Sequence, residues 1–598
     1  MGIKYFFKWF KTNYNGCITY IDRSPKNVDM DVLLVDMNGI IHNAAQKVYG
    51  YGSFNVPMDP NSLNNKAVFK EVCVQVNSLI FQFKPKELIL CIDGVAPISK
   101  QIQQRQRRFR SAYEREENKN GSSMDQMNYC PFDSNCISPG TEFMDGLSHY
   151  LNNFIKYKQT KNVVGWKDLI VVFANDKVPG EGEHKLMDYV RRHGNPNYNY
   201  CIYGSDADLI MLAMAVYATT NIKGIHVLRD AYKQPSFIYI NVVQFIHKLK
   251  QFIRFDQWSN FDDKLMVFDF VFLCFMVGND FLPHIPSIEI AENGIELLLN
   301  HYMDQRQHIT FMDGGMVKFH KDRLATILNN LVVLEKDLCE KKLNSPEYQH
   351  REEIFKDILM EKCCDVKEIS NTSLKHYTLN IEGYRKAYAE AHFKDVVDAS
   401  ITYLEGMQWV LTYYTLKVPN WKWCYEHDYA PNLQSITSSI DMEVKKNKTK
   451  CGSQNFYGSK QPKYSNNVPV RYNYGSQGSQ ISYGSTTSIL SQCVELPLPP
   501  FHQLLCILPP QSSNLLPEPL CMVLHKDLKI YAPKELTIDY SGKQQEWEGI
   551  VLLPKLNQDH VKECYLKNQP YIDRRVTQKR NIRGRTFRYV NGQHSFLE

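Results

Sequence analysis

The sequence lacks the patterns that mark secreted, zinc-binding and membrane-spanning chains. Its 16 cysteines include no Cys-x-x-Cys pair, the spacing typical of zinc sites. The most apolar window, residues 267–278, contains Asp269 and is too short to cross a bilayer. Residues 1–10 place lysines inside a very short apolar stretch, which is unlike a signal peptide. We therefore expect an intracellular protein, cytoplasmic or nuclear and not secreted, with reduced cysteines and no membrane contact.

A strong charge of one sign is also missing. The chain has 70 basic and 64 acidic residues, a net charge of +6, so its overall charge is a weak argument for nucleic-acid binding. Its 598 residues exceed one typical core. Hydrophobic residues make up 43%, which argues against wholesale disorder.

The patterning divides the chain into three parts. Residues 1–295 alternate strand-like and helical patterns, which predicts an α/β domain. Residues 296–400 are charged and helical, and predict a spacer of amphipathic helices. Residues 401–598 form a second apolar and aromatic region, in which the Gly-, Ser- and Tyr-rich segment at about 441–492 predicts a flexible insertion. The basic stretch 574–590 predicts a short exposed extension.

Carboxylates follow apolar runs at five places in the first half of the chain. The runs are VLLV, LILCI, LIVVF, YCIYGS and VFLCFMVGN. Short apolar runs bounded by turns predict buried strands, and sites in parallel sheets form beyond the carboxyl ends of the strands. We therefore expect seven acids to converge in one cleft: Asp36, Asp93, Glu181, Glu183, Asp206, Asp208 and Asp280.

Seven carboxylates in one cleft repel each other unless cations neutralise them. Oxygen ligands suit Mg²⁺ or Mn²⁺, and paired cations of this kind hydrolyse phosphodiesters. For any single Asp the simpler interpretation is a helix N-cap or a turn, and we assign Asp176 and Asp269 to such structural roles. That interpretation does not account for seven acids placed after buried runs.

A basic helix is predicted just after Asp93. Lys100, Gln104, Arg107 and Arg108 are spaced i, i+4, i+7 and i+8, so they share one helix face. Such a face can hold a terminal phosphate through charge-assisted hydrogen bonds. The alternative is an ordinary solvated basic face. The position of the helix beside the predicted acid cleft favours the phosphate pocket.

Three aromatic side chains are candidates for stacking on unpaired bases. His42 follows Asp36 by six residues, and Trp421 and Trp423 lie in VPNWKWCYEHDYAP. Flat rings near a metal cleft stack on bases without reading their sequence. For each ring taken alone, packing in the core is an equally good interpretation.

These segments resemble the Xrn family of 5′→3′ exoribonucleases. MGIKYFFKWF, LLVDMNGIIH, CIDGVAPISKQIQQRQRRFR, NCISPGTEFM, VPGEGEHKLM, YGSDADLIML and FMVGNDFLPHIPS follow the family's order over residues 1–287. EGMQWVLTYY, VPNWKWCYEHDYAP, PFHQLLCILPP, LLPEP and WEGIVLLP are similar to its second homology region. The resemblance implies a parallel-sheet, PIN-like 5′-nuclease core with surrounding helices, around whose active site the second region packs.

The same resemblance implies roles for the candidate residues. The seven acids match those that bind two Mg²⁺ ions, for which Mn²⁺ can substitute. Lys100, Gln104, Arg107 and Arg108 match the 5′-monophosphate pocket. His42 matches a ring that stacks on a base, and a tryptophan of the second region, Trp421 or Trp423, also stacks.

The resemblance implies digestion of single-stranded RNA from a 5′-monophosphate end to nucleoside 5′-monophosphates, a reaction of RNA decay and mRNA processing. We expect a monomer of minimal form, without the C-terminal accessory domains of larger relatives. Two alternatives are kept. One is a structure-specific 5′ nuclease acting on flapped DNA, and the other is an inactive RNA-binding scaffold.

Overall fold

The computed structural model describes residues 3, 5–23, 28–54, 59, 63–120, 132–231, 234–370, 373–451 and 496–597. The strands are β1 (Ile18–Asp22), β2 (Val32–Asp36), β3 (Glu87–Cys91), β4 (Ile170–Ala174), β5 (Asn199–Tyr203), β6 (Gly224–Asp230), β7 (Ser236–Asn241), β8 (Thr310–Asp313), β9 (Met316–Phe319), β10 (Cys364–Glu368), β11 (Lys375–Leu379), β12 (Thr537–Asp539), β13 (Ile550–Leu552), β14 (Phe587–Val590) and β15 (Gln593–Phe596).

The helices are α1 (Phe6–Asn13), α2 (Met37–Tyr49), α3 (Asn65–Phe83), α4 (Ile98–Asn120), α5 (Glu142–Thr160), α6 (Gly182–His193), α7 (Leu209–Thr219), α8 (Val242–Phe252), α9 (Asp263–Cys274), α10 (Gly294–Gln305), α11 (Lys321–Leu343), α12 (Pro346–Gln349), α13 (Ile358–Lys362), α14 (Ile381–His392), α15 (Val396–Thr415), α16 (Leu433–Cys451), α17 (Pro500–Ile507), α18 (Leu520–His525), α19 (Gln558–Asn568) and α20 (Arg574–Arg580).

A large mixed sheet forms the centre of the fold. Its order over the described residues is β1-β7-β6-β5-β2-β3-β4-β14-β15. The strands β6, β5, β2, β3 and β4 run parallel to one another, whereas β1, β7, β14 and β15 pair antiparallel with their neighbours. Helices flank the sheet. The prediction of an α/β fold with a mostly parallel, PIN-like nuclease sheet is confirmed.

The central strands are apolar throughout because both of their faces are buried. In β2, Val32 and Leu34 pack into one hydrophobic core, while Leu33 and Val35 pack into the core on the other side of the sheet. Successive side chains of a strand point to opposite faces, so a strand with helices on both sides needs an unbroken apolar run.

Four of the five apolar runs before the acids form strands, as predicted. They are β2, β3, β4 and β5, which lie side by side in the order β5-β2-β3-β4. The strand prediction for the fifth run is wrong, because VFLCFMVGN forms the end of α9 and a following 3₁₀ turn. Every side chain from Met266 to Val277 is buried, and an apolar run buried all round has the same pattern in a helix and in a strand.

The rest of the chain packs against this core. Between residues 296 and 400 the helices are interrupted by two hairpins, β8-β9 and β10-β11. The segment predicted as flexible, 441–492, begins inside α16, and its remainder from 452 lies outside the described residues. No helix in the described part of the chain combines the length and the apolar character needed to cross a bilayer.

The basic C-terminal stretch differs from the prediction of an exposed extension. Residues 574–580 form α20, and β14 pairs with β4, setting Phe587 opposite Phe173. Tyr589 is fully buried. The alternation of large apolar and polar residues in FRYV suits a strand, but its basic flanks obscured this. The last strands therefore extend the sheet that carries the candidate site.

Candidate active site

Six of the seven predicted acids follow four neighbouring strands of the sheet, β2, β3, β4 and β5, and several of them stand at the starts of the next helices. Asp36 ends β2 and precedes α2, Glu181 precedes α6, and Asp208 precedes α7. Asp93 lies two residues beyond β3, and Asp280 lies in the loop after α9. Helix N-termini carry partial positive charge, so three helices favour negative charge at this edge of the sheet.

Helix capping does not account for these acids. Asp36 does accept a cap hydrogen bond from the Asn38 N–H at 3.2 Å. Glu181 and Asp208, however, occupy N-cap positions without any side-chain cap bond. A carboxylate whose only role was capping would use its oxygens on the free N–H groups of the first turn.

The acids pack closely around Gly182. Its N–H donates to Asp93 Oδ1 at 2.6 Å. A Cβ at this position would lie 2.9 Å from Asp36 Oδ1 and 3.3 Å from Asp93 Oδ1. Only glycine leaves space here, which explains why a single glycine separates Glu181 from Glu183.

The electrostatics match a cluster whose negative charge is only partly balanced by nearby cations. Burial, followed by the charges of Asp93 and Asp206, raises the pKa of Asp36 well above its ordinary value. Burial and Glu181 do the same to the pKa of Glu183. Burial together with Asp206 and Asp280 raises the pKa of Asp208 to about 7. These carboxylates therefore resist ionisation until a cation binds beside them.

Lys100 lies among the acids. Its Nζ is 2.7 Å from Asp280 Oδ2 and also contacts Glu181. Burial alone would raise the pKa of Asp280, but the charge and hydrogen bond of Lys100 outweigh it and lower that pKa. Lys100 shares a helix face with Gln104, Arg107 and Arg108, but a separation of seven or eight residues is about 11 Å along a helix. Its ammonium thus sits at the acid cluster, whereas the later three residues line a separate pocket.

The donor set fits a divalent cation. Ligand atoms of Asp36, Asp93 and Glu183 all lie within 4.8 Å of one another, as do those of Glu181, Glu183 and His184. Asp208 Oδ1 is buried and has no hydrogen-bond partner among the residues that the structure describes, although buried oxygens are rarely left unpaired. The buried acidic cluster can therefore hold metal ions.

A pocket adjoins the acid cluster. It is lined by Asn38, His42, Asp93, Gln104, Arg107, Arg108, Ile137, Ser138, Pro139 and Met144. Asp93 belongs both to this pocket and to the metal-binding group. A ligand in the pocket thus reaches the edge of the acid cluster.

Arg108 carries a buried charge that forms no ion pair with any carboxylate in the described parts of the chain. It is 6% exposed, and among the described residues it forms no ion pair. Its guanidinium makes only long contacts of 3.4–3.5 Å to Asn135 and to the Ile137 carbonyl, and its Nε has no partner. Burial and Arg107 lower its pKa to about 9. A buried cation in this state is suited to an anionic ligand.

The aromatic candidates differ in their surroundings. Burial and the two arginines lower the pKa of His42 to about 3, so its ring is neutral in the pocket. Trp423 stacks on Trp409 with ring centroids 5.3 Å apart. The Trp421 ring contacts no other ring in the described parts of the chain, and its carbonyl accepts from the Ile98 N–H at the start of α4.

Two tyrosines of α15 contact the acids directly. Tyr413 donates its hydroxyl to Glu181 Oε1 at 2.8 Å, and Tyr414 donates to Asp208 Oδ2 at 3.3 Å. The Tyr413 ring also stacks on His184 at 3.6 Å. Tyr413 and Tyr414 thus complete the site from a part of the chain some 200 residues away.

Removing these hydroxyls is expected to weaken metal binding. Tyr413→Phe and Tyr414→Phe keep the ring but free one carboxylate oxygen each, and outer-shell bonds of this kind are worth about 10- to 100-fold in metal affinity. The measurement is the Mg²⁺ concentration that gives half-maximal activity, with calorimetric titration of Mg²⁺ in parallel. Tyr403→Phe is the matched control on α15, because Tyr403 donates instead to the Pro283 carbonyl. Unchanged Mg²⁺ affinity in both variants would contradict the role.

Four residues at the site were not predicted from the sequence. Asn38 accepts from the Asp93 N–H at 3.1 Å and lies four residues before His42, a helical spacing that could have revealed it. His184 follows Glu183 directly in GEGEH. Tyr413 and Tyr414 gave no signal, because a pattern does not say which distant element a side chain meets.

The two acids that were assigned to structural roles are both buried. Asp269 accepts the Tyr302 hydroxyl at 2.6 Å, the Thr310 N–H at 2.6 Å and a contact from His308 at 2.7 Å. Asp176 accepts the Ser148 hydroxyl at 2.6 Å. Asp269 is thus saturated by hydrogen bonds, in contrast with Asp208.

Comparison with known proteins gives matches along nearly the whole chain. The family model described as the XRN 5'-3' exonuclease N-terminus matches residues 1–231. The model described as the Xrn1 helical domain matches residues 260–377, 362–454 and 472–598. Together they cover the acid cluster, the pocket and the tyrosines of α15.

Similar curated proteins are named 5'-3' exoribonucleases. The human 5'-3' exoribonuclease 1 is 26% identical over 639 residues, which cover 94% of this chain and 34% of the human protein. The 5'-3' exoribonuclease 2 of Gallus gallus is 25% identical over 752 residues, covering 100% of this chain and 73% of that protein. That of Debaryomyces hansenii is 25% identical, covering 95% and 70%. The chain thus spans about a third of the human relative and about 70% of the other two.

Proposed function

This chain belongs to the XRN 5'-3' exonuclease family, and from that premise we propose that it is a 5′→3′ exoribonuclease. Its substrate is single-stranded RNA with a 5′-monophosphate, and its products are nucleoside 5′-monophosphates. The main support for the proposal is the position of Asp93, which lines the arginine-containing pocket and also belongs to the acid cluster. A phosphate held in that pocket leaves the next phosphodiester bond as the first to reach the acids.

The acids hold two Mg²⁺ ions, with Mn²⁺ as a substitute. The ligands are Asp36, Asp93, Glu181, Glu183, Asp206, Asp208 and Asp280. When bound, the ions supply Lewis-acid activation of water and stabilise the leaving oxygen. The chain's own contribution is to pre-position the oxygens, through Gly182, Tyr413 and Tyr414.

The pocket fixes the 5′ end. Gln104, Arg107 and Arg108 bind the terminal phosphate through charge-assisted hydrogen bonds. Lys100 lies at the acid cluster, in contact with Glu181 and Asp280, and is free to pair with a phosphate once cations neutralise those acids. Capped and triphosphorylated ends are poor substrates because the pocket is walled by Ile137, Pro139 and Met144. Because the pocket fixes the 5′ end of the RNA, it also positions the bond that is cleaved.

Base stacking is assigned to His42 and Trp421. His42 lines the pocket as a neutral ring, and Trp421 lies beside the first turn of α4. Trp423 packs in the core against Trp409. Stacking on rings of this kind advances RNA without sequence preference.

The two tryptophans are expected to respond differently to truncation. Trp421→Ala should weaken RNA binding by about 1–3 kcal/mol and leave the melting temperature nearly unchanged. Trp423→Ala should destabilise the fold by about 3 kcal/mol, because it empties space beside Gly406 and Trp409. RNA titration and thermal melting of both variants provide the measurement. A loss of RNA affinity confined to Trp423→Ala would reverse the assignment.

The test of the function is a timed digestion of 3′-labelled single-stranded RNA. Substrates with a 5′-monophosphate, a 5′-triphosphate or a 5′-hydroxyl are compared with Mg²⁺ and with EDTA. We expect Mg²⁺-dependent release of mononucleotides from the monophosphate RNA. Internal cleavage or preference for a DNA flap would favour the structure-specific nuclease, and RNA bound but intact in both conditions would favour the scaffold.

A further inference from the structure

The C-terminal helix α20 and the segment after it carry a cationic surface that the proposed reaction does not use. Residues 574–588, RRVTQKRNIRGRTFR, contain seven basic residues and no acid. Arg574, Arg575 and Lys579 are exposed, and among the described residues they form no side-chain hydrogen bond, ion pair or ring contact. Tyr571, just before the helix, is 78% exposed. We call Tyr571, Arg574, Arg575 and Lys579 the α20 surface.

Arg580 and Gly584 attach this run to two loops beside the active site. Arg580 donates to the Gly140 carbonyl at 2.8 Å, and Ser138 and Pro139 of that loop line the phosphate pocket. The Gly584 N–H donates to the Lys177 carbonyl at 2.9 Å. Lys177 lies in the loop that connects β4 to Glu181. The α20 surface is therefore built on both loops at the edge of the sheet where the acids lie.

Neighbouring acids do not neutralise the α20 surface. Asp145 is paired with Lys177 at 2.7 Å, and the carboxylate of Asp573 accepts the Arg575 backbone N–H at 2.6 Å as the cap of α20. Glu142 and Asp145 act electrostatically on Arg580, which is turned toward the Gly140 loop. Three cations facing solvent beside an exposed ring remain without a partner among the described residues.

We propose that the α20 surface binds the backbone of single-stranded RNA beyond the nucleotides held in the cleft. The inference rests on the proposed function, because it takes the polyanion to be the substrate itself. Cations that track phosphates beside an aromatic ring are the usual elements of sequence-independent single-strand binding. Continuity with the pocket loop favours RNA over an acidic protein, which would need no connection to the site.

The experiment neutralises a helical i, i+4 pair and compares it with a matched pair elsewhere. Arg575→Gln/Lys579→Gln removes two cations of α20, while Lys66→Gln/Lys70→Gln removes two exposed cations of α3 with the same spacing. Binding of 5′-monophosphorylated RNAs of about 5 and about 30 nucleotides is measured against salt concentration with EDTA present, so that hydrolysis does not interfere. Hydrolysis of both RNAs is then followed with Mg²⁺.

We expect the double substitution in α20 to weaken binding of the long RNA about 10-fold. It should also reduce the slope of log K against log salt by about 1.4, the value for two lost contacts to single-stranded RNA. Binding and hydrolysis of the short RNA should stay within about twofold, and the α3 pair should change neither RNA. Equal weakening of both RNAs, or equal effects of both pairs, would overturn the proposal. A wild-type protein that leaves the short RNA intact would instead refute the proposed function, so the two failures are distinguishable.

Discussion

Replacing Asp208 by Asn is expected to abolish hydrolysis and, at the same time, to raise the melting temperature of the metal-free protein. If Asp208 binds metal as proposed, its loss should lower the rate by at least about 1,000-fold. The stabilisation follows from the environment of Asp208, whose Oδ1 is buried without a partner. A charge held in that state destabilises the fold until a cation arrives.

Two opposing free-energy contributions determine whether Asp208→Asn is more or less stable than the wild type. The pKa of Asp208 rises from 3.8 to about 7, and at about 1.4 kcal/mol per pKa unit its ionised form costs up to about 4 kcal/mol at neutral pH. The charge gains about 0.3–1 kcal/mol from the N-terminus of α7. Asn keeps the shape and loses both effects, so the net result is stabilisation.

The stability of the metal-free protein should also depend on pH. A carboxyl whose folded pKa is raised costs nothing below its unfolded value and its full penalty above the folded value. Asp208 faces Asp206, Asp280, Lys100 and the Tyr414 hydroxyl. The stability of the metal-free wild type should therefore fall between pH 3.8 and about 7. The stability of Asp208→Asn should fall less steeply over the same range. Mg²⁺ should restore the stability of the wild type only.

Asp269→Asn is the matched control, since Asp269 is equally buried but accepts hydrogen bonds from Tyr302 and Thr310. This variant should lower the melting temperature with or without Mg²⁺. Thermal melting in EDTA and in Mg²⁺, at several pH values, provides the comparison. A lower melting temperature for metal-free Asp208→Asn would show that its carboxylate is already compensated.

The sequence allowed the centre of the site to be predicted because strands buried on both faces leave a clear mark. The runs before Asp36, Asp93, Glu181 and Asp206 are short, apolar and followed by acids, and parallel strands bring their carboxyl ends to one edge. The run before Asp280 was given the wrong element, since burial on all sides removes the periodicity that separates helix from strand.

What could not be predicted depends on contacts between distant segments. The pairing of β14 with β4 and the hydroxyl of Tyr413 on Glu181 each join residues hundreds of positions apart. A hydrophobic pattern indicates that a face is covered and not which segment covers it. Lys100 shows a second limit of prediction from sequence. Helical spacing indicates which residues share a helix face, but it does not indicate which groups each of them contacts along the helix axis.

Arg108→Met is expected to remove the preference for a 5′-monophosphate. Charge-assisted hydrogen bonds to a phosphate contribute about 1.5–3 kcal/mol each, so kcat/KM for monophosphorylated RNA should fall about 100-fold. RNA with a 5′-hydroxyl should be degraded at nearly the wild-type rate. Because the charge of Arg108 is buried without an ion pair, an apolar side chain of similar length should leave the ligand-free fold as stable or more stable.

Arg105→Met is the matched control, because it removes a buried arginine of the same helix that does not line the pocket. Arg105 lies on α4 and is buried to a similar extent, but its guanidinium donates to the carbonyls of Tyr531 at 2.6 Å and Pro554 at 3.1 Å. Its loss should lower the melting temperature, because two buried carbonyls lose their donor, and should leave the preference among 5′ ends unchanged.

A second measurement separates phosphate binding from catalysis. Inorganic phosphate that binds the folded pocket must raise the melting temperature of the wild type by mass action. This increase should vanish in Arg108→Met and persist in Arg105→Met. Equal loss of activity on monophosphate and hydroxyl ends, with the phosphate-induced increase retained, would place the 5′ phosphate elsewhere. The buried charge of Arg108 would then need another anion, and Asp133, whose charge acts on Arg108 from nearby, would be the first group to examine.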